Sequence, residues 1–330
     1  MRIGVFCSGG DAPGMNACVR AVVRAGVDSG HEVVGIMRGY EGLLNEDFYL
    51  NPKGKPILTP DCVHHWNRMG GAFLRSSRSD RFRTDDGQQV AARLLAKHKI
   101  DALVPIGGDG TFTGALALGR YYDGQIVGCP GTIDNDLHGT DYTIGFSTAV
   151  NTAVEAIDRI RDTAESHERM FLVEVMGRHS GYIAAFSALA SGAEVVAVPE
   201  TRTDFAKIVH LLKRLKSRGR SSAMIIVAEG DEAGGAVALD AYLKQHDCPF
   251  SSRIVILGHL QRGGNPTPED RWHATMMGAE AVNAINDGAT GIMIGTNSDH
   301  PCRVPLAEAI DGHRAVPEHL IKMLEQIALD

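Results

Sequence analysis

The sequence predicts an α/β fold in which a mostly parallel sheet is covered by helices on both faces. Three observations predict it. Short β-branched runs alternate with longer amphipathic ones along nearly the whole chain; the short runs are apolar at consecutive positions; and three of them end directly in glycine-and-carboxylate turns. Ile3-Gly4-Val5-Phe6-Cys7 is the first predicted strand, and a helix over 15–29 follows its turn. Further strands are predicted at 32–36, 102–106, 125–129, 171–175, 195–198, 224–228 and 254–257. Helices are predicted at 88–98, 112–121, 147–163, 183–191, 205–217, 271–286 and 318–329. Within 147–163, Val150, Val154, Ile157 and Ile160 recur at helical spacing. There is no short-period repeat, low-complexity tract or Pro/Ser-rich linker. A two-lobed chain that crosses between lobes more than once fits this pattern better than separate beads.

Length and charge narrow the function. A chain of 330 residues supports one large α/β unit or two lobes, and 44% hydrophobic with 22% charged residues is ordinary for a soluble protein. The net charge of −7 provides no global basic field for nucleic acid or an anionic membrane. The six cysteines are widely spaced without a CxxC pair, which predicts free thiols and no zinc site. No stretch is long and apolar enough for a signal peptide or a bilayer span, so a cytoplasmic location is expected.

The three turns carry the chemistry. Ser8-Gly9-Gly10-Asp11-Ala12-Pro13-Gly14 is neither a dinucleotide GxGxxG nor a Walker A loop, because no Gly-Lys-Ser/Thr follows. By itself it reads equally as a tight turn beside any ligand. Gly107-Gly108-Asp109-Gly110-Thr111 opens a helix, whose free N–H groups and positive dipole end suit an anion. Beside a phosphate, Asp109 needs a counter-charge, since like charges ~4 Å apart repel by roughly 4 kcal/mol at an effective dielectric of 20. Mg²⁺ supplies one; the alternative is that Asp109 only caps the helix. Thr132-Ile133-Asp134-Asn135-Asp136 places two carboxylates on one side of an extended segment, one able to take a proton from an attacking hydroxyl. Asp-Asn-Asp is also ordinary turn chemistry.

Arginines accompany these turns. Arg75, Arg78, Arg81 and Arg83 crowd one segment, Arg178 follows Met176-Gly177, and Arg262 follows His259-Leu260-Gln261. A guanidinium binds phosphate through two parallel hydrogen bonds and keeps its charge. Turns and arginines together imply phosphoryl transfer. Arg81 is read as solvated.

In order along the chain, these motifs resemble the ATP-dependent 6-phosphofructokinases of bacteria. The match continues through Gly139-Thr140-Asp141-Tyr142-Thr143-Ile144-Gly145-Phe146 and Glu174-Val175-Met176-Gly177-Arg178. The resemblance implies two Rossmann-like three-layer lobes with the active site in the cleft: 1–145 plus 261–311 for the nucleotide, 146–260 plus 312–330 for the sugar phosphate. It implies that Asp134 is the base for the sugar 1-hydroxyl. Thr132, Arg178 and the Gly10 amide would stabilise the transferring group, and Arg78 would bridge the substrates. Asp109 would hold Mg²⁺, with Asp136 contributing through water. Gly10, Tyr40, Arg78, Ser79, Gly108, Asp109, Gly110 and Thr111 would lie along ATP. Thr132, Ile133, Asp134, Met176, Gly177, Arg178, Glu229, His259, Leu260, Gln261 and Arg262 would contact fructose 6-phosphate. Arg169 and Arg253 would reach the adjacent subunit's phosphate, which makes a homo-oligomer, expected as a tetramer, obligatory.

Two glycines bear on the phosphoryl donor. Diphosphate-dependent relatives carry Asp at the position of Gly110 and Lys at that of Gly131; glycine at both implies ATP. Arg20, Arg24, Arg161, Glu194, Arg218 and Arg220 match the family's effector site, although Arg218 and Arg220 replace the usual Lys and Pro60 falls near a missing Arg. The alternative for Arg20 and Arg24 is a solvated helix face. Two other functions remain open from sequence: a diphosphate-dependent enzyme, and a sugar-phosphate sensor without catalysis.

Overall fold

A computed structural model describes residues 1–327. The chain begins with β1 (Arg2–Cys7), α1 (Met15–Asp28), β2 (Glu32–Gly35), α2 (Gly39–Leu44), α3 (Asp85–Lys97), β3 (Ala102–Gly107), α4 (Asp109–Leu118) and β4 (Gln125–Pro130). It continues through α5 (Phe146–Ser166), β5 (Arg169–Val175), α6 (Tyr182–Ser191), β6 (Val195–Ala197), α7 (Phe205–Ser217), β7 (Ala223–Ala228), α8 (Gly235–Gln245) and β8 (Ser251–Ile256). Last come α9 (Pro268–Asn286), β9 (Ile292–Asn297), β10 (His300–Pro305), α10 (Leu306–Asp311) and α11 (Glu318–Ile327). The end of the helix expected over 318–329 lies outside the described residues.

The chain divides into two compact units: Met1–Ile133, Leu137–Thr148 and Arg262–His313; and Asp134–Asp136, Ala149–Gln261 and Arg314–Asp330. The short turn Asp134–Asp136 thus belongs with the second unit, although the sequence placed all of 1–145 in the first. Each unit has its own hydrophobic core, centred on Phe6, Phe112 and Leu103 in one and on Leu172, Ile225 and Leu212 in the other.

In the first unit a six-stranded sheet runs β10-β9-β4-β3-β1-β2. Its pairs are parallel except the terminal β9–β10 hairpin. Every residue of β3 is buried, as a strand flanked on both sides and both faces requires. The register pairs Cys7 with Ile106 and Gly107 with Pro130, so β1, β3 and β4 end level with one another. Their three following turns therefore start side by side. The segment 45–65 runs along β2, with antiparallel bridges Val33–Leu58 and Ile36–Phe48 that cover an otherwise open sheet edge.

The second unit has a four-stranded, wholly parallel sheet in the order β6-β7-β5-β8. Asp204 caps α7 by accepting from the N–H groups of Ala206 and Lys207. β8 is an edge strand with exposed residues at Ser251, Arg253 and Ile256.

Candidate active site

Three turns meet at the carboxyl end of the first sheet. Thr111 Oγ1 donates to the Ser8 carbonyl at 3.2 Å, joining the first turn to the second. Gly9 N–H donates to the Ser77 carbonyl at 3.3 Å, which brings the arginine-rich segment alongside. A Cβ on Gly108 would lie 3.4 Å from Thr132 Cβ, so the second and third turns are in contact. Asp109 is the exposed first residue of α4, at whose N-terminus backbone amides are left free to bind an anion. At Gly110 a Cβ would meet nothing within 4 Å. Glycine there is not demanded by protein packing.

Some expected contacts are placed differently. Tyr40 is only 5% exposed: its ring stacks on Phe82 at 3.8 Å between centroids and its hydroxyl donates to the Thr111 carbonyl at 2.7 Å. It supports the first turn of α4 from below, and burial pushes its phenol pKa well up. Its ring therefore does not lie open to a ligand, contrary to the expectation. Ser79 donates to Glu41 at 2.5 Å, and this bond, with Asn45, draws the Glu41 pKa down. Arg78 is exposed beside it. Arg262 Nη1 donates to the Asp11 carbonyl at 3.0 Å and lies over Gly10, where any Cβ would strike the guanidinium. Arg262, expected among the sugar-phosphate contacts, thus rests on the first glycine turn. The side chains of Ile133 and Gln261 are fully buried, so any ligand contact at these two is through backbone.

The second unit carries the other group. Asp134 is buried, and Arg178 Nε lies 3.8 Å from its Oδ2. Asn135 and Arg178 both adopt left-handed backbone, with φ of 52° each. Such strain persists only where surroundings impose it, and it gathers at functional turns. Around Arg178 those surroundings are visible: Glu229 Oε1 accepts from its N–H at 2.9 Å, and Gly230 leaves room for its carbonyl. Gly177, with φ of 143°, takes a conformation closed to other residues. Ser180 Oγ donates to the Asp134 carbonyl at 2.8 Å, and Arg314 N–H to that of Asp136 at 2.9 Å. Neither of these two supports was anticipated, because each lies far along the chain from the turn it holds.

Met176 is buried next to Gly177, while His259 and Leu260 are exposed after β8. Arg169 begins β5, and Arg253 is exposed on the adjacent edge strand β8. Of the predicted effector residues, Arg161 lies 3.9 Å from Glu194 and donates to the Ser191 carbonyl at 2.7 Å. Glu194 also accepts from Met224 N–H at 2.7 Å, which ties it to β7. Arg218 and Arg220 are exposed in the second unit, Arg20 and Arg24 belong to α1 in the first, and burial with the neighbouring Arg24 lowers the Arg20 pKa. Among the described residues no helix is long and apolar enough to cross a membrane, and the six cysteines are unpaired.

Known proteins resemble this chain. A family model described as phosphofructokinase matches residues 2–285. The chain is 48% identical over 328 residues to the ATP-dependent 6-phosphofructokinase 1 of Thermus thermophilus, covering 99% of each. It is 44% identical over 323 residues to an ATP-dependent 6-phosphofructokinase of Thermotoga neapolitana, covering 98% of each. Among solved structures, the phosphofructokinase of Saccharomyces cerevisiae superposes on all of this chain with a TM-score of 0.84 at 36% identity, though the match spans 47% of that longer chain. A pyrophosphate-dependent phosphofructokinase of Marinobacter aquaeolei shares the fold, with a TM-score of 0.82 at 22% identity. The chain belongs to the phosphofructokinase family.

Proposed function

We propose that this protein transfers the γ-phosphoryl group of ATP to the 1-hydroxyl of fructose 6-phosphate, the reaction of an ATP-dependent 6-phosphofructokinase. The observation that carries the choice of donor is the open space at Gly110, where a nucleotide can pass and a carboxylate would repel it. Asp134 takes the proton of the 1-hydroxyl as that oxygen bonds to the γ-phosphorus, and the bond to the ADP oxygen breaks. Arg178, 3.8 Å from Asp134, offers positive charge to the phosphoryl group as it moves. Thr132 and the Gly10 amide stabilise charge on the transferring group, and Arg78 bridges the substrates.

Asp109 is the residue that would hold Mg²⁺, with Asp136 acting through water. Among the described residues no cluster of three or more His, Cys, Asp or Glu side chains is suited to hold a metal. An exposed single carboxylate plus phosphate oxygens is the donor set Mg²⁺ takes, so the residues present fit that ion. When bound, the ion neutralises charge on the β- and γ-phosphates.

Met176, Gly177, Glu229, His259 and Leu260 orient the sugar phosphate, and Arg262 supports the Gly10 turn. Arg169 and Arg253, on neighbouring strands, complete the site of a partner subunit in a homotetramer. Arg20, Arg24, Arg161, Glu194, Arg218 and Arg220 form an effector site for an anionic metabolite. The unpaired cysteines support a reducing, cytoplasmic setting. The test is a coupled assay with fructose 6-phosphate and either ATP or diphosphate, with and without Mg²⁺. Turnover is expected with ATP and Mg²⁺ only; turnover with diphosphate and none with ATP would refute the proposal.

A further inference from the structure

The sequence motif around Asp141 to Phe146 plays no part in the reaction as described, yet it lies against two of the reactive turns. Thr143, with no exposed surface, donates through Oγ1 to the Thr132 carbonyl at 2.6 Å. Ile144 N–H donates to the Pro130 carbonyl at 2.8 Å, so the segment runs alongside the last residues before Thr132. On its other side the same segment abuts the first glycine turn. A Cβ on Gly145 would come within 2.6 Å of Ala12 Cβ, and one on Gly14 within 2.7 Å of Ile144 Cγ2.

One carboxylate anchors the segment. Asp270, in the first turn of α9, is fully buried and accepts from Tyr142 Oη at 2.6 Å, Gly145 N–H at 2.6 Å and Thr148 N–H at 2.8 Å, and also from Thr148 Oγ1. His273, one helical turn on, stacks its ring on Tyr142 at 4.0 Å. A helix cap needs one or two of these bonds. This carboxylate serves a whole loop.

We infer that Thr143, held in place by the Asp270–Tyr142 anchor, is a positioning residue that fixes the Thr132–Ile133 peptide against the Gly10 turn. The physical reason is peptide planarity: pinning a carbonyl also sets the N–H on the opposite side of the same plane. A peptide free to rock would blur the geometry around the phosphoryl group, and small misplacements lower turnover steeply. The inference rests on the proposed kinase reading, because it assigns Thr132 and the Gly10 amide to the reacting group.

The test compares Thr143→Val, which keeps shape and loses the hydroxyl, with Thr143→Ser, which keeps the hydroxyl. Expected are a fall in kcat of about tenfold for Thr143→Val, KM for both substrates within about twofold of the parent, and recovery of most of the loss in Thr143→Ser. A purely structural role would lower the melting temperature and leave kcat at 25 °C unchanged; that result overturns the inference. Tyr142→Phe removes one bond to Asp270 while keeping the stacked ring, and provides a milder variant should Thr143→Val not fold. It is expected to lower kcat by about two- to fivefold at constant KM, and an unchanged kcat again overturns the inference. If the parent enzyme itself fails to use ATP, the kinase reading falls; if the parent works and both variants keep its kcat, only the positioning role falls.

Discussion

In the first unit the turns at the carboxyl end of the sheet are glycine-rich and offer backbone N–H groups, while in the second unit the groups proposed to act are side chains, Asp134 and Arg178, carried on turns with φ of 52°. The difference follows from what the proposed reaction would ask of each. Holding a polyphosphate needs many close, direction-tolerant donors, which amides and a helix N-terminus supply without a bulky side chain. Moving a proton and following a migrating charge needs a specific carboxylate and a specific cation, and the backbone bends to place them. The first unit is built by leaving space, the second by filling it under strain.

The sharpest way to break this contrast is Asp134→Asn. The amide matches the carboxylate in size and cannot take the proton, so kcat is expected to fall by about 10² to 10⁴. Binding of ATP and of fructose 6-phosphate, measured by calorimetry, is expected to stay within about threefold, since a base acts chiefly in the transition state. Undiminished turnover would remove Asp134 from the chemistry and leave the second unit as a binding element.

Next in size is a pair of glycine variants in the first unit. Gly110→Asp puts a carboxylate into open space, so the melting temperature is expected to hold while kcat/KM for ATP drops by roughly a hundredfold or more from charge repulsion. Gly131→Ala is the opposite case. Its Cβ would lie 2.8 Å from Met15 Cε and 3.0 Å from Ile106 Cγ2, so it overpacks the core and should cost about 1–3 kcal/mol of stability. Thermal denaturation and ATP kinetics on the two proteins separate space kept for a ligand from space required by packing. The two glycines that were read together as marks of ATP use therefore differ physically: only the one at 110 faces an opening.

Much of this was legible beforehand because it is local. Consecutive apolar residues marked the parallel strands, and glycines after them marked the turns, since both signals lie within a few residues of what they cause. The β9–β10 hairpin is poorly signalled because its turn is Ser298-Asp299, with φ of 49° and 66°, in place of the usual Asn-Gly, and β10 contains Pro301 and Pro305. α8 is weakly signalled for a similar reason: it opens on Gly234-Gly235, and a glycine pair is ordinarily a mark of a turn. The buried position of Tyr40, the rest of Arg262 on Gly10 and the Asp270 anchor depend on contacts between residues far apart in sequence. No periodicity encodes them. Nor does periodicity assign Asp134–Asp136 to the second unit, since they follow closely on β4 and the Gly131-Thr132-Ile133 segment of the first.

The smallest expected effect compares two buried carboxylates, one from each unit. For Asp270, burial is the largest influence and raises the pKa despite four accepted hydrogen bonds. For Asp240 on α8, burial again acts upward, but Lys244, 2.7 Å away, together with Ser252 outweighs it and the pKa is lowered. The two must therefore respond to pH with opposite sign. With an unfolded value of about 3.9, Asp240 contributes stability above that pH and loses it as pH falls through its lower folded value, where the unfolded chain has already bound the proton. Asp270 binds its proton more tightly when folded, so its contribution is full below about 3.9 and declines as pH rises through its higher folded value. Urea denaturation of the parent and of Asp240→Asn between pH 3 and 7 should show a shallower acid-side loss in the variant. An equally steep loss would mean that Lys244 and Ser252 do not hold the Asp240 carboxylate ionised, and the contrast between the two carboxylates would reduce to burial alone.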